Sequence, residues 1–262
     1  MTDGIEQEAK SYRIFGFPIT PVTKEDILDL ISGAVSKDSH CIIASQNMHG
    51  VYTYFKDEQF RKLHDQSVVH IDGMPIIWMA RLCGLKLGAE YRTGWIDWFM
   101  PLMERATREN WRVFYLGSED KVLQDGLAFV RKAYPNIQLA GRNGFFNSSH
   151  DHPENLEVIN EINDFGTNVL IVGMGMGRQE HWILENLDRL KVNCIGTSGA
   201  CIEYFAGAVP TPPRWLGSLG LEWAYRLLSN PRRFAWRYLV EPWITAWLIL
   251  ANQFRERSRK HS

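Results

Sequence analysis

Short apolar runs rich in β-forming residues alternate with longer amphipathic stretches along most of this 262-residue chain. One helix is predicted in each interval between the runs IFGFPI, HCIIAS, SVVHID, WRVFYLG, IQLAG, NVLIVGMG and VNCIGTSG. The first of these helices has an N-cap signal in Thr23 and Asp26. Such alternation produces a mainly parallel sheet with helices on both faces. The sequence therefore predicts a Rossmann-like α/β fold, in which ligands bind beyond the carboxyl ends of the strands.

The composition changes after Ala208, where Pro210, Pro212 and Pro213 would break a continuing helix. We therefore expect an α/β catalytic domain at 1–208 and a helical, basic C-terminal appendage at 209–262. Helical patterns at 219–228, 231–239 and 242–254 predict three helices within the appendage.

The appendage is basic and rich in tryptophan. From Arg214 onward it carries nine Lys/Arg and three Asp/Glu, although the whole chain has a net charge of −1. Arginine pairs with phosphate through a fixed fork of donors, and tryptophan settles where water meets lipid. This combination indicates a phosphate-bearing partner, a membrane surface or both, and no nucleic acid is expected. The alternative is that the tryptophans pack the appendage on the body and the arginines form a solvated face.

The longest apolar run, from Trp243 to Ala251, is far shorter than the roughly 20 residues that cross a bilayer. It is expected to lie on a membrane rather than to span one. Because the polar first residues contain no secretory signal, we expect a cytoplasmic protein. Four well-separated cysteines without zinc-site spacing are expected to be reduced thiols, namely Cys41, Cys83, Cys194 and Cys201.

Polar residues follow four predicted strands, and parallel strands would bring them to one edge of the sheet. Asp72 follows VVHI and precedes Gly73, so its carboxylate is a candidate general base. The alternative is that Asp72 caps the helix entered through Pro75. Ser45 and Asn47 are either site residues or ordinary turn and cap residues. The four segments are Ser45-Gln46-Asn47, Asp72-Gly73, Gly117-Ser118 and residues 173–180.

The GMGMG run within residues 173–180 indicates a nucleotide site. Its G-x-G-x-G spacing, late position and following RQEHW differ from the dinucleotide fingerprint, so a nicotinamide-dependent oxidoreductase remains an alternative only. A glycine-rich turn that opens a helix cradles phosphate with free N–H groups, and Arg178 and Gln179 stand at that helix N-terminus. A nucleotide diphosphate without nicotinamide fits this segment better.

The sequence contains no recognisable metal-binding pattern. His49, His70 and His181 lack ligand spacing and are interpreted as packing or hydrogen-bonding residues, and no Asp-x-Asp pair follows a strand. A phosphate-handling enzyme of this kind must neutralise the departing charge by other means, and the appendage supplies arginines. The second alternative is a non-catalytic module that binds a membrane surface or polyanion through the appendage alone.

Several segments resemble the WecG/TagA/CpsF family of bacterial glycosyltransferases, glycosyltransferase family 26. They are YLGS at 115–118, GRNGFF at 141–146, LIVGMGMGRQEHW at 170–182 and the arginine- and tryptophan-rich 199–239. The resemblance implies inverting transfer, without a metal or cofactor, from a UDP-sugar to a saccharide on undecaprenyl diphosphate. It further implies cell-surface polysaccharide synthesis at the inner face of the plasma membrane, with N-acetylmannosamine, glucose or a uronic acid derivative as donor sugar. A homo-oligomer is left open.

The resemblance also assigns residues. Asp72 corresponds to the catalytic base, and Ser45 and Asn47 correspond to a Thr-x-Asn motif beside it. Together with the strand-end glycines, the candidate substrate-binding residues are Arg92, Asp97, Gly117, Gly173, Gly175, Gln179, Glu180, Arg214, Arg226, Arg232, Arg233 and Arg237. The appendage is expected to close over the site. The sequence departs from the family pattern at Ser45 (usually Thr), Gly177 (usually Pro), Glu203 (usually Asp) and RTGWID.

Overall fold

The computed structural model describes residues 10–260, without the side chains of Arg214, Ser218, Arg233 and residues 255–260. Most of the polar start of the chain, on which the expected absence of a secretory signal depends, lies outside the described residues. The strands, numbered in chain order, are β1 (Tyr12–Ile14), β2 (Phe17–Ile19), β3 (Cys41–Gln46), β4 (Val68–Ile71), β5 (Arg112–Gly117), β6 (Gln138–Arg142), β7 (Val169–Gly173) and β8 (Cys194–Thr197).

Six strands form one parallel sheet in the order β4-β3-β8-β7-β5-β6. The chain enters at β3, extends to β4 at one edge, and returns from β5 and β6 at the other edge through β7 to β8. The strand order therefore reverses beside β3 and β8, where sheets of this kind open a crevice. The predicted α/β fold with a mainly parallel sheet is confirmed.

Helices cover both faces of the sheet and continue into the appendage. They are α1 (Lys24–Ser36), α2 (Met48–Lys56), α3 (Glu58–Asp65), α4 (Met74–Leu82), α5 (Trp95–Arg108), α6 (Asp120–Ala133), α7 (Pro153–Asp164), α8 (Arg178–Asn186), α9 (Cys201–Phe205), α10 (Arg214–Ser218), α11 (Glu222–Ser229), α12 (Pro231–Ala235) and α13 (Glu241–Lys260). A 3-10 turn at Ala89–Tyr91 and a π-helical turn at Trp236–Val240 complete the set. The predicted capping box is present, because Thr23 accepts from the Asp26 backbone and Asp26 accepts from the Thr23 backbone.

Alternate side chains of each central strand enter different layers of the core. On β5, Val113 and Tyr115 pack with α1, α5 and α6, whereas Phe114 and Leu116 pack with α7 and α8. Because both faces are buried, the strand is a continuous apolar run rather than an alternating one. The carboxyl ends of the strands are thereby held rigidly at one edge.

Three local predictions were wrong. IFGFPI forms an antiparallel hairpin outside the main sheet, with φ of 50° at Phe15 and 94° at Gly16, as a two-residue turn requires. The interval after HCIIAS holds two helices, because Asp57 ends α2 and caps α3 through the Phe60 N–H. The interval after SVVHID also holds two, α4 and α5, separated by the 3-10 turn.

The appendage is helical, as predicted, but its segments join differently. The π-helical turn connects α12 to α13 without a break, where separate helices at 231–239 and 242–254 were expected. Pro242 has no N–H to donate to the preceding turn, and a π-helical turn is one way to accommodate that gap. Within residues 10–260, no helix combines the length and apolarity that crossing a bilayer requires.

Candidate active site

The carboxyl edge of the sheet opens into a cavity of about 500 Å³. Its wall combines residues that follow β3, β4, β7 and β8 with residues of α11, α12 and the π-helical turn, so body and appendage enclose it together. The candidate site residues that line it are Ser45, Asn47, Asp72, Arg92, Asp97, Gly175, Gln179, Arg226 and Arg237.

Asp72 lies at the tip of β4, where its backbone N–H donates to Gln46 O at 2.8 Å. Its Oδ2 accepts from Asn47 Nδ2 at 3.4 Å. Helix α4 has Gly73 at its N-cap position, with φ of 139°, and no side chain caps that helix. The alternative in which Asp72 caps α4 is therefore not what the structure shows, and the carboxylate faces the cavity instead.

Asn47 makes two hydrogen bonds, so it both caps a helix and contacts Asp72. Its Oδ1 caps α2 by accepting from the Gly50 N–H at 3.1 Å, and this leaves Nδ2 directed at Asp72. Ser45 is nearly buried, and its Oγ lies 3.3 Å from His70 Nε2. Burial lowers the pKa of His70 to about 4, so this histidine is neutral at physiological pH and holds Ser45 by hydrogen bonding.

Arg92 is brought beside Asp72 by backbone pairing. The segment after the 3-10 turn runs alongside β4, where the Thr93 N–H donates to Ile71 O at 2.8 Å. The Arg92 guanidinium then bridges Asp97 at 3.2 Å and Glu222 of α11 at 3.4 Å. Arg92 therefore joins the sheet edge to the appendage across the cavity.

Two arginines of the appendage reach the same cavity. Arg226 lies 5.7 Å from the Tyr204 ring centre, and its Nε is buried without a hydrogen-bond partner among the residues that the structure describes. Burial is the largest influence on Arg226 and opposes its charge, but Tyr204, Asp72 and other groups raise its pKa overall. Burial, aided by the positive charge of Arg226, lowers the pKa of Arg237. An anion between these guanidiniums would relieve their mutual repulsion.

Arg232 is the one remaining predicted site arginine of the appendage whose side chain the structure describes. Arg232 is exposed and lines neither of the two cavities at this edge. The side chains of Arg214 and Arg233 lie outside the described residues, so their predicted roles remain predictions.

A second cavity of about 430 Å³ shares Gly175, Gly199 and Glu203 with the first. Its other lining residues include Ser118, Gly144, Phe145, Gly173 and Arg178. The shared residues make the two cavities neighbours along the carboxyl edge. We call the two adjoining cavities the trough.

Gly117 and Gly173 are required by backbone packing. A Cβ on Gly117 would collide with the Gly173 carbonyl group, and one on Gly173 would collide with the Tyr115 hydroxyl group. Gly173 lines the second cavity, whereas Gly117 lines neither. These two glycines therefore allow the ends of β5 and β7 to approach closely.

Gln179 and Glu180 form a buried link between α8 and the loop after β8. Gln179 Oε1 accepts from the Gly199 N–H at 3.1 Å, and its Nε2 donates to Glu180 Oε1 at 2.7 Å. The Gly177 N–H donates to Glu180 Oε2 at 2.6 Å. Burial raises the pKa of Glu180 to about 7. Because Glu180 lines neither described cavity, its contacts are those of a residue that holds Gln179 in place.

Sequence reasoning missed several lining residues. Thr197 ends β8 and Ser198 follows it, and the signal that identified the other strand ends, polar residues after an apolar run, was present there too. Tyr204 and Glu222 also line the first cavity, but no local pattern marks them. Among the residues whose side chains are described, no group of three or more His, Cys, Asp or Glu is arranged to hold a metal ion.

Comparison of the sequence with known proteins defines the class of this protein, which is a glycosyltransferase. The sequence profile described as "Glycosyl transferase WecG/TagA/CpsF family" matches residues 12–259. The chain therefore belongs to that family. This membership removes the oxidoreductase and the non-catalytic module as alternatives.

Three similar curated proteins carry the name N-acetylglucosaminyldiphosphoundecaprenol N-acetyl-beta-D-mannosaminyltransferase. The chain is 29% identical to the Bacillus subtilis protein over 196 residues, which cover 74% of this chain and 73% of the relative. It is 26% identical to the Bacillus spizizenii protein, with 67% and 65% covered. It is also 26% identical to the Staphylococcus aureus protein, with 65% of each chain covered.

Proposed function

We propose that this glycosyltransferase transfers a sugar from a UDP-sugar to a saccharide on undecaprenyl diphosphate, with inversion and without a metal ion. The observation that supports this most strongly is one cavity lined by the Asp72 carboxylate and by Arg226 and Arg237 of the appendage. A carboxylate can activate a hydroxyl group, and paired guanidiniums suit a diphosphate. The names of the relatives contribute the polyprenyl diphosphate acceptor to the proposal.

In the proposed reaction Asp72 takes the proton from the attacking hydroxyl group of the acceptor. The hydroxyl oxygen forms a bond to the anomeric carbon of the donor from the face opposite UDP, and the bond from that carbon to the β-phosphate oxygen breaks. UDP leaves with the bonding electron pair. Asn47, which contacts both the α2 N-terminus and Asp72, holds the carboxylate in the required direction.

Negative charge grows on the β-phosphate as UDP leaves. Arg92, Arg226 and Arg237 line the cavity in which this occurs, and Gln179 adds an amide to the same wall. Preorganised donors of this kind contribute roughly 10²- to 10³-fold each to a rate when they stabilise a developing anion. The arginines are thus the proposed replacement for a divalent ion.

The second cavity is the proposed site of the donor nucleoside. It lies next to the first along the trough, so a nucleotide bound there would extend its diphosphate past the shared Gly175 and Gly199 towards Arg226. Phe145 and Arg178 offer a ring and a guanidinium plane to a base, and the buried Gln179 link fixes the α8 N-terminus between the cavities.

Helix α13 of the appendage buries polar residues against the body and exposes tryptophans to solvent, and this arrangement supports membrane attachment. On α13 the polar residues Glu241 and Thr245 are buried against the body, whereas Trp243 and Trp247 are 77% and 64% exposed. Interfacial tryptophans anchor at headgroup depth, and each Lys/Arg near an anionic leaflet adds about 1 kcal/mol. We therefore propose a peripheral protein at the inner face of the plasma membrane.

Vesicle binding tests this attachment. Replacing Trp243 and Trp247 together with serine should abolish sedimentation with vesicles containing anionic lipid, and salt should weaken binding of the wild type. The double variant should keep its folded spectrum and its transfer to a short, water-soluble acceptor. Undiminished sedimentation would contradict the proposed surface.

A panel of UDP-sugars tests the reaction itself. The purified protein should be incubated, with and without EDTA, with each UDP-sugar and a short-chain polyprenyl diphosphate that carries N-acetylglucosamine. The products should be identified by mass spectrometry. UDP-N-acetylmannosamine is the first donor to test because the relatives are N-acetylmannosaminyltransferases. A disaccharide product, unaffected by EDTA, is expected. If no UDP-sugar serves as donor, the proposed donor class is wrong. If EDTA abolishes transfer, the proposed metal-free mechanism is wrong.

A further inference from the structure

His49 forms a close hydrogen-bonded contact that joins the body to the appendage. Its Nδ1 lies 2.6 Å from Oε1 of Glu241, the first residue of α13. Glu241 is 4% exposed, and the α13 face that carries it and Thr245 packs on α2, which carries His49. The Thr245 hydroxyl group donates to the Glu241 carbonyl oxygen at 2.8 Å, which fixes the turn holding this carboxylate.

The contact fixes which side of the imidazole remains free. A carboxylate only accepts hydrogen bonds, so Nδ1 carries the hydrogen towards Glu241 and Nε2 is the second ring nitrogen. Among the residues that the structure describes, Nε2 has no hydrogen-bond partner. His49 also lines the 500 Å³ cavity, two residues beyond Asn47. Nε2 is therefore available to form a hydrogen bond within the cavity.

A second pair in the same molecule shows what a purely structural contact looks like. His181 Nε2 lies 2.6 Å from Asp57 Oδ2 and links α8 to α3. Neither residue lines either described cavity. Both pairs join a histidine to a carboxylate at the same separation, but of the two histidines only His49 lines the cavity that Asp72 and Arg237 also line.

The position of the His49–Glu241 pair indicates that His49 contacts the acceptor substrate rather than the sugar donor. Glu241 begins the helix whose next turns expose Trp243 and Trp247, the proposed membrane-facing side. A lipid-linked substrate therefore arrives along this wall of the cavity. The donor nucleoside is placed at the other end of the trough, which His49 does not line.

We propose that His49 is a further substrate-contacting residue and that Glu241 positions it, so that Nε2 forms a hydrogen bond with a sugar hydroxyl group of the lipid-linked acceptor. This assignment rests on the proposed glycosyl transfer and names the residues that read its acceptor. The sequence analysis interpreted His49 as a packing or hydrogen-bonding residue; its hydrogen bond to Glu241 agrees with that interpretation, and the proposal adds a substrate contact.

Steady-state kinetics of the full chain test the contact. His49→Ala should raise KM for the polyprenyl diphosphate saccharide about three- to tenfold, the range for one lost neutral hydrogen bond, with KM for the UDP-sugar unchanged. His181→Ala, the matched control, should change neither constant. Equal changes in both KM values, or an unchanged acceptor KM, would overturn the proposal.

A double-mutant cycle tests the positioning role. Glu241→Ala should raise acceptor KM as His49→Ala does, Glu241→Gln should raise it less because its amide oxygen still accepts from Nδ1, and the double alanine variant should add nothing further. Additive effects would mean that Glu241 acts only by docking the appendage. If the wild type transfers no sugar to this acceptor, the proposed reaction fails; if it does but the cycle is additive, only the pairing fails.

Discussion

Replacing Gly217 with alanine tests the closure of the appendage over the site. Gly217 lies in α10 above the Arg92 guanidinium, and its φ is not in the left-handed region. A Cβ there would lie 2.5 Å from Glu222 Oε1 and 3.0 Å from Arg92 Nη2. The methyl group would therefore separate Arg92 from Glu222, whose contact is 3.4 Å.

Gly217→Ala should change the stability of the protein little but its activity strongly. Alanine is better than glycine in a helix by about 0.5–1 kcal/mol, and a partly exposed ion pair contributes about 0.2–1 kcal/mol, so stability should change little. To restore contacts of 3.4 Å, the Glu222 carboxylate must retreat by about 0.9 Å and the Arg92 guanidinium by about 0.4 Å, or the appendage must lift. Misplacing a charge that contacts substrate should lower kcat/KM by about 10- to 100-fold.

The assay compares Gly217→Ala with Gly33→Ala. Gly33 lies in α1, and a Cβ there would meet nothing within 4 Å. Both variants should unfold at nearly the wild-type temperature, but only Gly217→Ala should lose transfer activity. Full activity in Gly217→Ala would refute the idea that Arg92 works in the closed arrangement. A large fall in melting temperature would show instead that the steric estimate is wrong.

Two further predictions concern charge. Arg226→Gln should lower kcat by roughly 10²- to 10³-fold. Arg232→Gln replaces an exposed arginine that lines neither described cavity, so kcat for a water-soluble acceptor should stay unchanged. Comparable losses in both variants would show that Arg226 has no special role in the site. Burial lowers the pKa of His64 and His70 to about 4, which weakens folding as pH falls, whereas the raised pKa of Glu180, about 7, strengthens it over the same range. Urea titrations should therefore show the free energy of unfolding of the wild type falling by roughly 1.5 kcal/mol from pH 6.5 to 5. In Glu180→Gln the fall should be about 3 kcal/mol, because the opposing contribution of Glu180 is lost. A smaller fall in the variant than in the wild type would contradict the predicted stabilising contribution of Glu180.

The fold was largely predictable because its signals are local. Each central strand is an apolar run buried on both faces, and the polar residues after it mark the sheet edge. The hairpin at Phe15 was missed because its turn puts a bulky residue at positive φ, which sequence patterns do not suggest. The divisions between α2 and α3 and between α4 and α5 depend on single capping and turn residues.

The site was only partly predictable because its decisive contacts join distant segments. Arg92 meets Glu222 across 130 residues of sequence, and His49 meets Glu241 across 192. No spacing rule connects such positions in one sequence. By contrast, Asp72 was a candidate from its place after β4 alone, although only the structure shows that it does not cap α4.

The most direct measurement of the central claim is single-turnover transfer by Asp72→Asn, with binding of UDP measured on the same protein. The amide occupies the same space and can still accept from Asn47, so the fold and the arginine-lined cavity should persist. We expect the rate of sugar transfer to fall by about 10²- to 10⁴-fold while the affinity for UDP stays at the wild-type value. Transfer at close to the wild-type rate would show that Asp72 is not the base and would contradict the mechanism.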